Sequence, residues 1–554
     1  MNIKKIIFLF SSLLLTLCIH AQPEAVKKSA AAVFTLTTFS NQGTIIASTK
    51  GVFIGSNGEA IAAWEPFIGA QQAVVVDANG QKMEVESVMG ANELYDVCKF
   101  KVNGTTPAAP VAMNPSAPAE KVWLADYSMK KPKVKAVAIT ATEKFMQKYT
   151  YYIFNTKQPE NMAGCPFFNN KGEVIGFLKH SKKENEVTAT DAAFANDFEL
   201  NGLSMNNPIL RETAIRIALP QQLSDARLAL MVAEQKNDSL KYAQYVDEFI
   251  EKFANEPDGY MAKARQEVAA RRFDNAVNII ETALKTVTKK DEVHSGYATL
   301  IFNKVVFQPD TLYAPWTLEK AYSEAAQAYA LNPLPVYQHQ QAQILFSMNK
   351  YQEAYNIFIN LTHTNIRNGE LFYEAAQCKQ RLNAGREEIL SLLDSAVQAQ
   401  PLSNISAPYV LARGRFLEEG GAHRKALMDY NQYDTLMFGR ASAEFYYTRY
   451  KCEMKLRSYQ LALNDIAHAI LINRQEPLYY AEMASLQLKV NQLDDAIKTS
   501  DICIALAPDY ADPYIIKGVA LGESGRKEEA CEVLTKAKEL GDERAGSLLE
   551  KYKP

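Results

Sequence analysis

Short apolar runs separated by turn residues fill the chain from residue 31 to about 218. Runs of this length, rich in Val, Ile, Phe and Tyr, predict β-strands. The clearest seven are 33–36, 52–54, 74–76, 97–102, 122–124, 149–154 and 174–178. Between them, Asn57-Gly58, Asn79-Gly80 and Lys171-Gly172 supply residues that tolerate the positive φ of hairpin turns. Many short, closely spaced strands predict a β-barrel or a pair of barrels.

After Gln235 the apolar period changes from two residues to that of a helix, and a repeat appears. The same small residue recurs every 34 positions at Ala462, Ala496 and Ala530. A second small-residue series recurs at the same interval: Ala469, Cys503 and Ala537. Two further pairs are also 34 residues apart: the tyrosines Tyr480 and Tyr514, and the small residues Ala484 and Gly518. Weaker copies precede them at irregular spacing, and 307–316 has the character of an inserted loop. About seven helical pairs and a polar final helix at 545–552 are predicted.

This period and its small-residue code resemble the tetratricopeptide (TPR) repeat. The resemblance implies an all-α solenoid over 236–554 with a concave groove that binds peptides or proteins. Five tyrosines on predicted first helices are candidates for that groove: Tyr446, Tyr447, Tyr479, Tyr480 and Tyr514. Packing between repeats is the alternative role for them, and it is the expected role for most of the tyrosines. A Lys/Asn arrangement that would clamp a terminal carboxylate is not found in the sequence.

Residues 1–21 have the pattern of a secretory signal peptide. A basic start is followed by an apolar stretch, 6–19, that is short for a membrane span, and Ala21 precedes the expected cleavage. A membrane anchor and a lipid on Cys18 are the alternatives, although Leu17 stands where lipid-attachment signals need a small residue. We expect an exported chain, periplasmic or secreted, with no transmembrane segment after cleavage.

Length, charge and cysteine usage exclude several classes of protein. The chain is too long for one core, which predicts two or more domains. Its net charge of −3 and lack of a basic block argue against nucleic-acid binding. The six cysteines after the signal are too widely spaced for a disulfide scaffold or a zinc motif, so no metal or cofactor is predicted. Pairing of Cys98 with Cys165 is left open.

The segment 161–179, NMAGCPFFNNKGEVIGFLK, resembles the nucleophile region of trypsin-like serine proteases of the HtrA type. Gly164-x-Pro166 and the hairpin 169–176 match the family pattern, but the serine falls on Ala163. A methyl group cannot attack a carbonyl, because acyl transfer needs a hydroxyl or a thiol. The family's oxyanion donors fall on the backbone of Asn161 and Ala163, which we expect to form a degenerate oxyanion turn.

The other two triad positions follow from the same resemblance. Aligned on Gly69-Ala70, the general-base histidine is replaced by Glu65, and the aspartate is retained as Asp96. Imidazole is the side chain that takes and returns a proton near neutral pH, so two of three catalytic roles are missing. Asp96 is expected to be structural; an acid/base or cation-binding pair with Glu65 is the alternative. No metal site is assigned.

These patterns predict an all-β trypsin-like double barrel over 22–235, followed by the all-α TPR solenoid. The predicted function is that of a non-catalytic binding or scaffold protein, a pseudoprotease that binds protein or peptide ligands through the TPR groove and possibly the barrel cleft. The alternative is an active trypsin-like endopeptidase or other hydrolase with a displaced nucleophile. Cys165 is the only thiol in the motif, and His180 is expected at the surface.

Overall fold

The computed structural model describes residues 23–128, 131–157, 162–181, 183, 185–236, 238–309 and 313–554. The predicted signal peptide, Asn161 and part of the predicted loop at 307–316 therefore lie outside the described residues. The chain divides into two compact units, one ending at Lys289 and the other beginning at Lys290. Each unit is built around its own type of secondary structure, strands in the first and helical hairpins in the second.

Six strands at the start of the first unit close into a barrel. They are β1 (Val33–Phe39), β2 (Ile45–Phe53), β3 (Glu59–Ala62), β4 (Gln72–Val76), β5 (Lys82–Asn92) and β6 (Val97–Val102). All neighbouring strands are antiparallel, in the order β1-β2-β3-β6-β5-β4, and β4 pairs back onto β1. Alternate side chains fill the interior, among them Phe34, Phe53 and Phe100, whose rings contact one another. The predicted alternation thus produces a closed hydrophobic core.

The next seven strands form a second antiparallel sheet. They are β7 (Lys121–Ser128), β8 (Lys131–Ala138), β9 (Ala141–Phe145), β10 (Tyr149–Phe154), β11 (Pro166–Phe168), β12 (Val174–His180) and β13 (Val187–Asp191). Their order is β8-β7-β11-β12-β13-β10-β9, and no ladder joins β8 to β9 in the described residues. The sequence predicts a second barrel here, and the structure gives a seven-stranded sheet with its own core, in which Phe154 stacks on Phe167 at 4.2 Å.

The predicted hairpin turns are confirmed. Gly58, Gly80 and Gly172 all have positive φ, at 91°, 87° and 77°. Gly58 also needs the absence of a side chain, because a Cβ there would lie 2.2 Å from the carbonyl oxygen of Val102. Only glycine satisfies both requirements at this turn.

Five α-helices accompany the strands in the described part of the first unit. They are α1 (Glu24–Ala30), α2 (Leu223–Glu234), α3 (Ser239–Lys252), α4 (Pro257–Ala269) and α5 (Phe273–Thr286). The helices α2 to α4 contribute Leu230, Val246, Phe249 and Ala262 to the same core cluster as the barrel. The change from strands to helices thus falls at Leu223, whereas the first compact unit continues to Lys289. The predicted boundary at residue 235 lies between these two points.

The second unit consists of helical hairpins and a final helix. Its helices are α6 (Lys290–Phe307), α7 (Leu318–Leu331), α8 (Pro335–Ser347), α9 (Tyr351–Leu361), α10 (Gly369–Arg381), α11 (Arg386–Gln398), α12 (Ala407–Glu419), α13 (His423–Met437), α14 (Ala443–Lys455), α15 (Tyr459–Ile472), α16 (Pro477–Lys489), α17 (Leu493–Leu506), α18 (Asp512–Glu523), α19 (Lys527–Glu539) and α20 (Arg544–Lys551). Within the described residues these form seven hairpins, each packed on the next, with α20 against α19.

The predicted repeat code is visible in the packing of these hairpins. Every member of the two small-residue series 462/496/530 and 469/503/537 is fully buried. Between the two helices of a hairpin, Arg457, Asn491 and Gly525 adopt left-handed φ values of 56°, 62° and 83°, again 34 residues apart. A small residue at the helix crossing and a left-handed turn therefore recur together. None of the helices in the described part of the chain is both long and apolar enough to cross a membrane.

Candidate functional site

Position 65, where the family has its general base, lies at the start of a short 3-10 helix, Glu65–Phe67. Trp64 and Phe67 flank it, both buried, with their rings stacked at 5.9 Å. The Glu65 side chain is exposed to solvent. Aromatic packing therefore fixes the backbone at this position, while the Glu65 carboxylate lies outside the core.

Asp96 fixes the start of this helix from the beginning of β6, the strand that pairs with β3. It has a left-handed φ of 54° just before β6, and its Oδ1 accepts hydrogen bonds from the backbone N–H groups of Trp64 and Glu65, both at 2.8 Å. Its Oδ2 forms an ion pair with Lys179 Nζ at 2.9 Å. The carboxylate is thus engaged on both oxygens. In a working triad one of these oxygens would hold the imidazole N–H of the base.

Ala163 lies in a tight turn held against the first barrel. Its carbonyl oxygen accepts hydrogen bonds from the backbone N–H of Lys50 at 3.1 Å and from Thr49 Oγ1 at 3.0 Å. The following residue, Gly164, has a φ of 78°, and a Cβ on it would lie 2.2 Å from the Lys50 carbonyl oxygen. Backbone contacts and a left-handed glycine therefore fix the turn that carries Ala163.

Strand β12 links the three positions. Gly164 N–H donates to the carbonyl oxygen of Leu178 at 2.9 Å, and the next residue, Lys179, holds Asp96. Asp96 in turn binds the backbone of Glu65. Positions 65, 96 and 163 thus belong to one connected network. Asn161, the other predicted member of the oxyanion turn, lies outside the described residues.

The thiols near the site are not available as nucleophiles. Cys98 and Cys165 are both free and fully buried, and they belong to different core clusters. Burial, and then the nearby Asp126, raises the pKa of the Cys165 thiol; burial, and then Asp96, raises the pKa of the Cys98 thiol. A reactive cysteine needs the thiolate form, which burial disfavours. His180 ends β12 and is exposed, as expected.

Lys179 is the residue of this site that sequence reasoning missed. It is the last residue of the segment 161–179, where its charge looks like that of any surface lysine. The sequence signal that could have found it is a lysine placed one residue beyond the apolar run of β12.

The five candidate tyrosines of the repeats fall into two groups. Tyr446 and Tyr479 are buried, and Tyr446 donates to Asp434 Oδ1 at 2.9 Å and stacks on His468. Tyr447, Tyr480 and Tyr514 are half-buried. The first two tyrosines therefore pack between helices, and only the remaining three present surface to a ligand.

Two of the half-buried tyrosines have equivalent structural roles. The hydroxyl of Tyr480 donates to the carbonyl oxygen of Arg474 at 3.2 Å, and that of Tyr514 donates to the carbonyl oxygen of Pro508 at 3.0 Å. Each bond spans six residues and closes the loop before a first helix. Tyr447 differs, since it bonds Glu482 in the next hairpin at 3.2 Å and its ring lies under Lys451.

A pocket of about 220 Å³ in the second unit lies among helices α6, α8, α9 and α10. Three phenylalanines and four polar residues line it: Phe302, Phe346 and Phe358, with Gln343, Ser347, Glu374 and Gln377. A mixture of apolar surface with a few polar groups is typical of a ligand pocket. The sequence did not indicate these residues, because they come from three hairpins of irregular spacing.

Comparison with known proteins gives partial matches in sequence and in structure. No family model matches the chain. It is 28% identical over 98 residues to the small glutamine-rich tetratricopeptide repeat-containing protein 2 of Saccharomyces cerevisiae, covering 18% of this chain and 28% of that protein. It is 32% identical over 94 residues to the TPR repeat-containing thioredoxin TDX of Arabidopsis thaliana, covering 17% and 25%. The chain thus spans about a quarter of the length of these curated relatives.

Among solved structures, the chain is similar to the serine endoprotease from Yersinia pestis, with a TM-score of 0.28 and 20% identity over 34% of this chain and 65% of that one. The observed architecture itself confirms the predicted fold class. A β-domain with a closed barrel precedes a long helical region with tetratricopeptide-type repeats.

Proposed function

We propose that this chain is an exported, non-catalytic binding or scaffold protein, in which a pseudoprotease β-domain is joined to a TPR solenoid that binds a protein or peptide. The observation that carries the proposal is the network around Asp96. Its two oxygens are bound to Trp64, Glu65 and Lys179, and Ala163 has only a methyl group where the reaction needs a nucleophile. The fold is retained and the chemistry is not.

Binding through the helical repeats is supported by two features. The relatives in sequence are tetratricopeptide proteins, and stacked helical hairpins of this type form extended binding surfaces. The half-buried Tyr447 and the pocket lined by Phe302 and Phe346 offer aromatic surface beside the carboxylates Glu482 and Glu374. Such surfaces suit a segment that carries both an apolar and a cationic side chain.

Export is proposed from the sequence of residues 1–21. The basic start, the apolar stretch and Ala21 are the features of a cleaved signal, which would place the mature chain in the periplasm or outside the cell. Mass spectrometry of the protein from its native compartment tests this. A mature start at Gln22 supports export, and retention of Met1 or a lipid on Cys18 contradicts it.

Labelling by a fluorophosphonate probe, together with hydrolysis of casein and of peptide esters, tests the absence of catalysis. We expect no labelling and no turnover above background at any pH from 5 to 9. An active trypsin-like protease of known concentration is the positive control, and heat-denatured chain is the negative one. Labelling of the unmodified folded chain would overturn the proposal.

Site-specific photo-cross-linking tests the binding role. A cross-linking amino acid at Gln377, in the pocket, is compared with one at Met428, which is 72% exposed elsewhere in the second unit. We expect a discrete covalent adduct with a partner only when the cross-linker is at position 377. This adduct should be weaker when Phe302→Ala and Phe346→Ala are added. Equal adducts from both positions would contradict a pocket-specific partner.

A further inference from the structure

Three side chains with metal-binding atoms meet where two helical hairpins adjoin. Glu418 lies at the end of α12, His423 begins α13, and Cys452 lies on α14 of the next hairpin. A carboxylate oxygen, an imidazole nitrogen and the thiol sulfur lie within 4.8 Å of one another. The sequence does not reveal this group, because the positions 418, 423 and 452 do not follow the short spacings of zinc motifs.

The fold brings these residues together through the turn between α12 and α13. Gly421 has a left-handed φ of 76°, which reverses the chain and places His423 back against the end of α12. The thiol of Cys452 is fully buried and donates to the backbone carbonyl oxygen of His423 at 3.4 Å. Sulfur and imidazole are therefore held side by side by the packing of neighbouring hairpins.

The donor atoms of this group keep capacity for a further partner. His423 Nδ1 is buried and makes no hydrogen bond with any described residue. The two oxygens of Glu418 accept from different groups, Tyr430 Oη at 2.7 Å and Lys455 Nζ at 3.4 Å. Each carboxylate oxygen has two lone pairs, so both retain one for a metal. An unpaired buried imidazole nitrogen is costly unless something completes its coordination.

We propose that Glu418, His423 and Cys452 bind a zinc ion that links two adjacent hairpins of the solenoid. Thiolate, imidazole and carboxylate are the three ligand types that zinc takes in proteins. Ligand atoms around tetrahedral zinc lie roughly 3.3–3.7 Å apart, as follows from zinc–ligand distances of about 2.0–2.3 Å. The observed spacing needs only small side-chain movements to reach that geometry.

The remaining groups at the site have roles that follow from this assignment. On binding, the Cys452 sulfur exchanges its proton for the metal, so one proton is released to solvent for each zinc bound. The hydroxyl of the buried Tyr430 holds the Glu418 carboxylate from behind, as outer partners of metal ligands do. Three protein ligands leave the fourth position to water, and the half-buried His423 marks the solvent side.

A second group of similar composition offers an internal comparison. His339, Glu370 and Glu374 also lie within 4.8 Å of one another. There, however, His339 Nε2 and Glu374 are already paired with each other at 2.6 Å, and the other Glu374 oxygen accepts from Gln343. This group contains no thiol and its histidine has a partner, so we do not assign a metal to it.

Cobalt titration of the full-length, metal-free and reduced chain tests the proposal, because a cobalt–thiolate bond gives a near-ultraviolet charge-transfer band. We expect one equivalent of Co²⁺ to produce the band, zinc to abolish it by displacement, and zinc to raise the melting temperature. Cys452→Ser and His423→Gln should each lose the band. Tyr430→Phe should weaken apparent affinity by about tenfold.

Two variants serve as matched controls. Cys503 is also fully buried and donates to a backbone carbonyl, that of Pro477, so Cys503→Ser should keep the band. His339→Gln should keep it as well. The absence of a band in the folded unmodified chain, or a band that persists in folded Cys452→Ser, would overturn the proposal. Should Cys452→Ser fail to fold by circular dichroism, the exposed-side variant His423→Gln decides the question.

Discussion

Asp96 accepts two backbone hydrogen bonds and one ion pair, and the partner that a protease would need is not among them. Restoring Ala163→Ser with Glu65→His supplies a nucleophile and a base. The new imidazole must then compete with Lys179 for Asp96 Oδ2. A triad without a properly engaged aspartate loses about 10⁴ in turnover. We therefore expect the double variant to react with a fluorophosphonate only weakly.

Adding Lys179→Ala to that double variant should release Asp96 Oδ2 and raise the labelling rate by at least about tenfold. This gain is small beside the rate factor of about 10⁴ that the aspartate contributes in a complete triad. The variant Ala163→Ser with Lys179→Ala lacks the histidine and should stay at background. Equal labelling rates for the double and triple variants would show that Lys179 does not block the site.

A pH dependence is expected at His339. Burial lowers the pKa of this imidazole, but the hydrogen bond and the charge of Glu374, together with the charge of Glu370, outweigh that effect, and the pKa is raised overall. Because the pKa of the imidazole is higher in the folded chain than its unfolded value of about 6.5, protonated His339 stabilises the folded chain. This stabilisation is complete below the unfolded pKa and is lost as pH rises through the folded pKa.

We therefore expect His339→Gln to destabilise the helical unit by about 1.5 kcal/mol at pH 6, the lower end for a hydrogen bond to a charged group, and by less at pH 9. Urea unfolding followed by far-ultraviolet circular dichroism at both pH values measures this. The control is His180→Gln, at an exposed residue, whose effect on stability should not differ in this way between the two pH values. A constant difference across the range would contradict the pairing.

Sequence reasoning found the site at this scale only in part. Motifs with fixed neighbours predict the triad positions 65, 96 and 163, and this assignment stays a prediction. The structure connects the three positions through Leu178 and Lys179. Lys179 itself could not be assigned, because its role depends on a contact between β12 and the start of β6. Such contacts between distant strands are set by packing, which a local pattern does not contain.

At the scale of elements, a close helix crossing explains the small residues of the repeat. Gly518 lies in α18, and a Cβ on it would come within 2.6 Å of the Leu534 side chain in α19. Leu534 is fully buried and has little freedom to move. Gly518→Ala gains helix propensity, but we expect the overpacking to dominate and to cost about 1–2 kcal/mol.

Gly546 in α20 is a matched control, because a Cβ there would have no atom within 4 Å. Gly546→Ala should leave the chain as stable or stabilise it by up to about 1 kcal/mol through helix propensity. Calorimetric melting temperatures of the two variants measure the difference. A Gly518→Ala variant as stable as Gly546→Ala would contradict the close crossing.

The strands differ in how well their sequences predict them. Each of the seven predicted runs coincides with an observed strand, except that 52–54 extends one residue beyond the end of β2, and each carries apolar residues that are buried in a core. The strands outside these runs, β3, β5, β8, β9, β11 and β13, were not predicted. Strand β8 is at the sheet edge, where one face is solvated, and β11 is too short for a period to show.

At the scale of the molecule, the helices after the barrel belong to the same compact unit as the strands. Lys252 Nζ donates to the carbonyl oxygen of Leu219 at 2.7 Å, and the buried Arg216 pairs with Glu248 on α3. Although burial raises the pKa of the Glu248 carboxyl, Arg216 and then Lys252 hold it below its usual value. The sequence indicated where helices begin, but not that α2 to α4 share the core of the barrel.

Two fragments test whether the first folding unit ends at residue 235 or at residue 289. A fragment of residues 23–235 ends before α3 and would expose barrel surface that Tyr245, Val246 and Phe249 cover in the whole chain. A fragment of residues 23–289 keeps these contacts. Each large apolar side chain buried contributes about 1.5–3 kcal/mol, so losing three of them removes a large part of the stability of a typical domain. We therefore expect a cooperative, reversible transition from 23–289, and a lower melting temperature or aggregation from 23–235.

Within 23–289, Val246→Ala with Phe249→Ala should reproduce the behaviour of the shorter fragment, whereas Leu240→Ala, at a side chain that is 80% exposed, should not. Equal melting temperatures for the two fragments would show that the barrel ends at residue 235 and that α3 and α4 belong to the repeats alone.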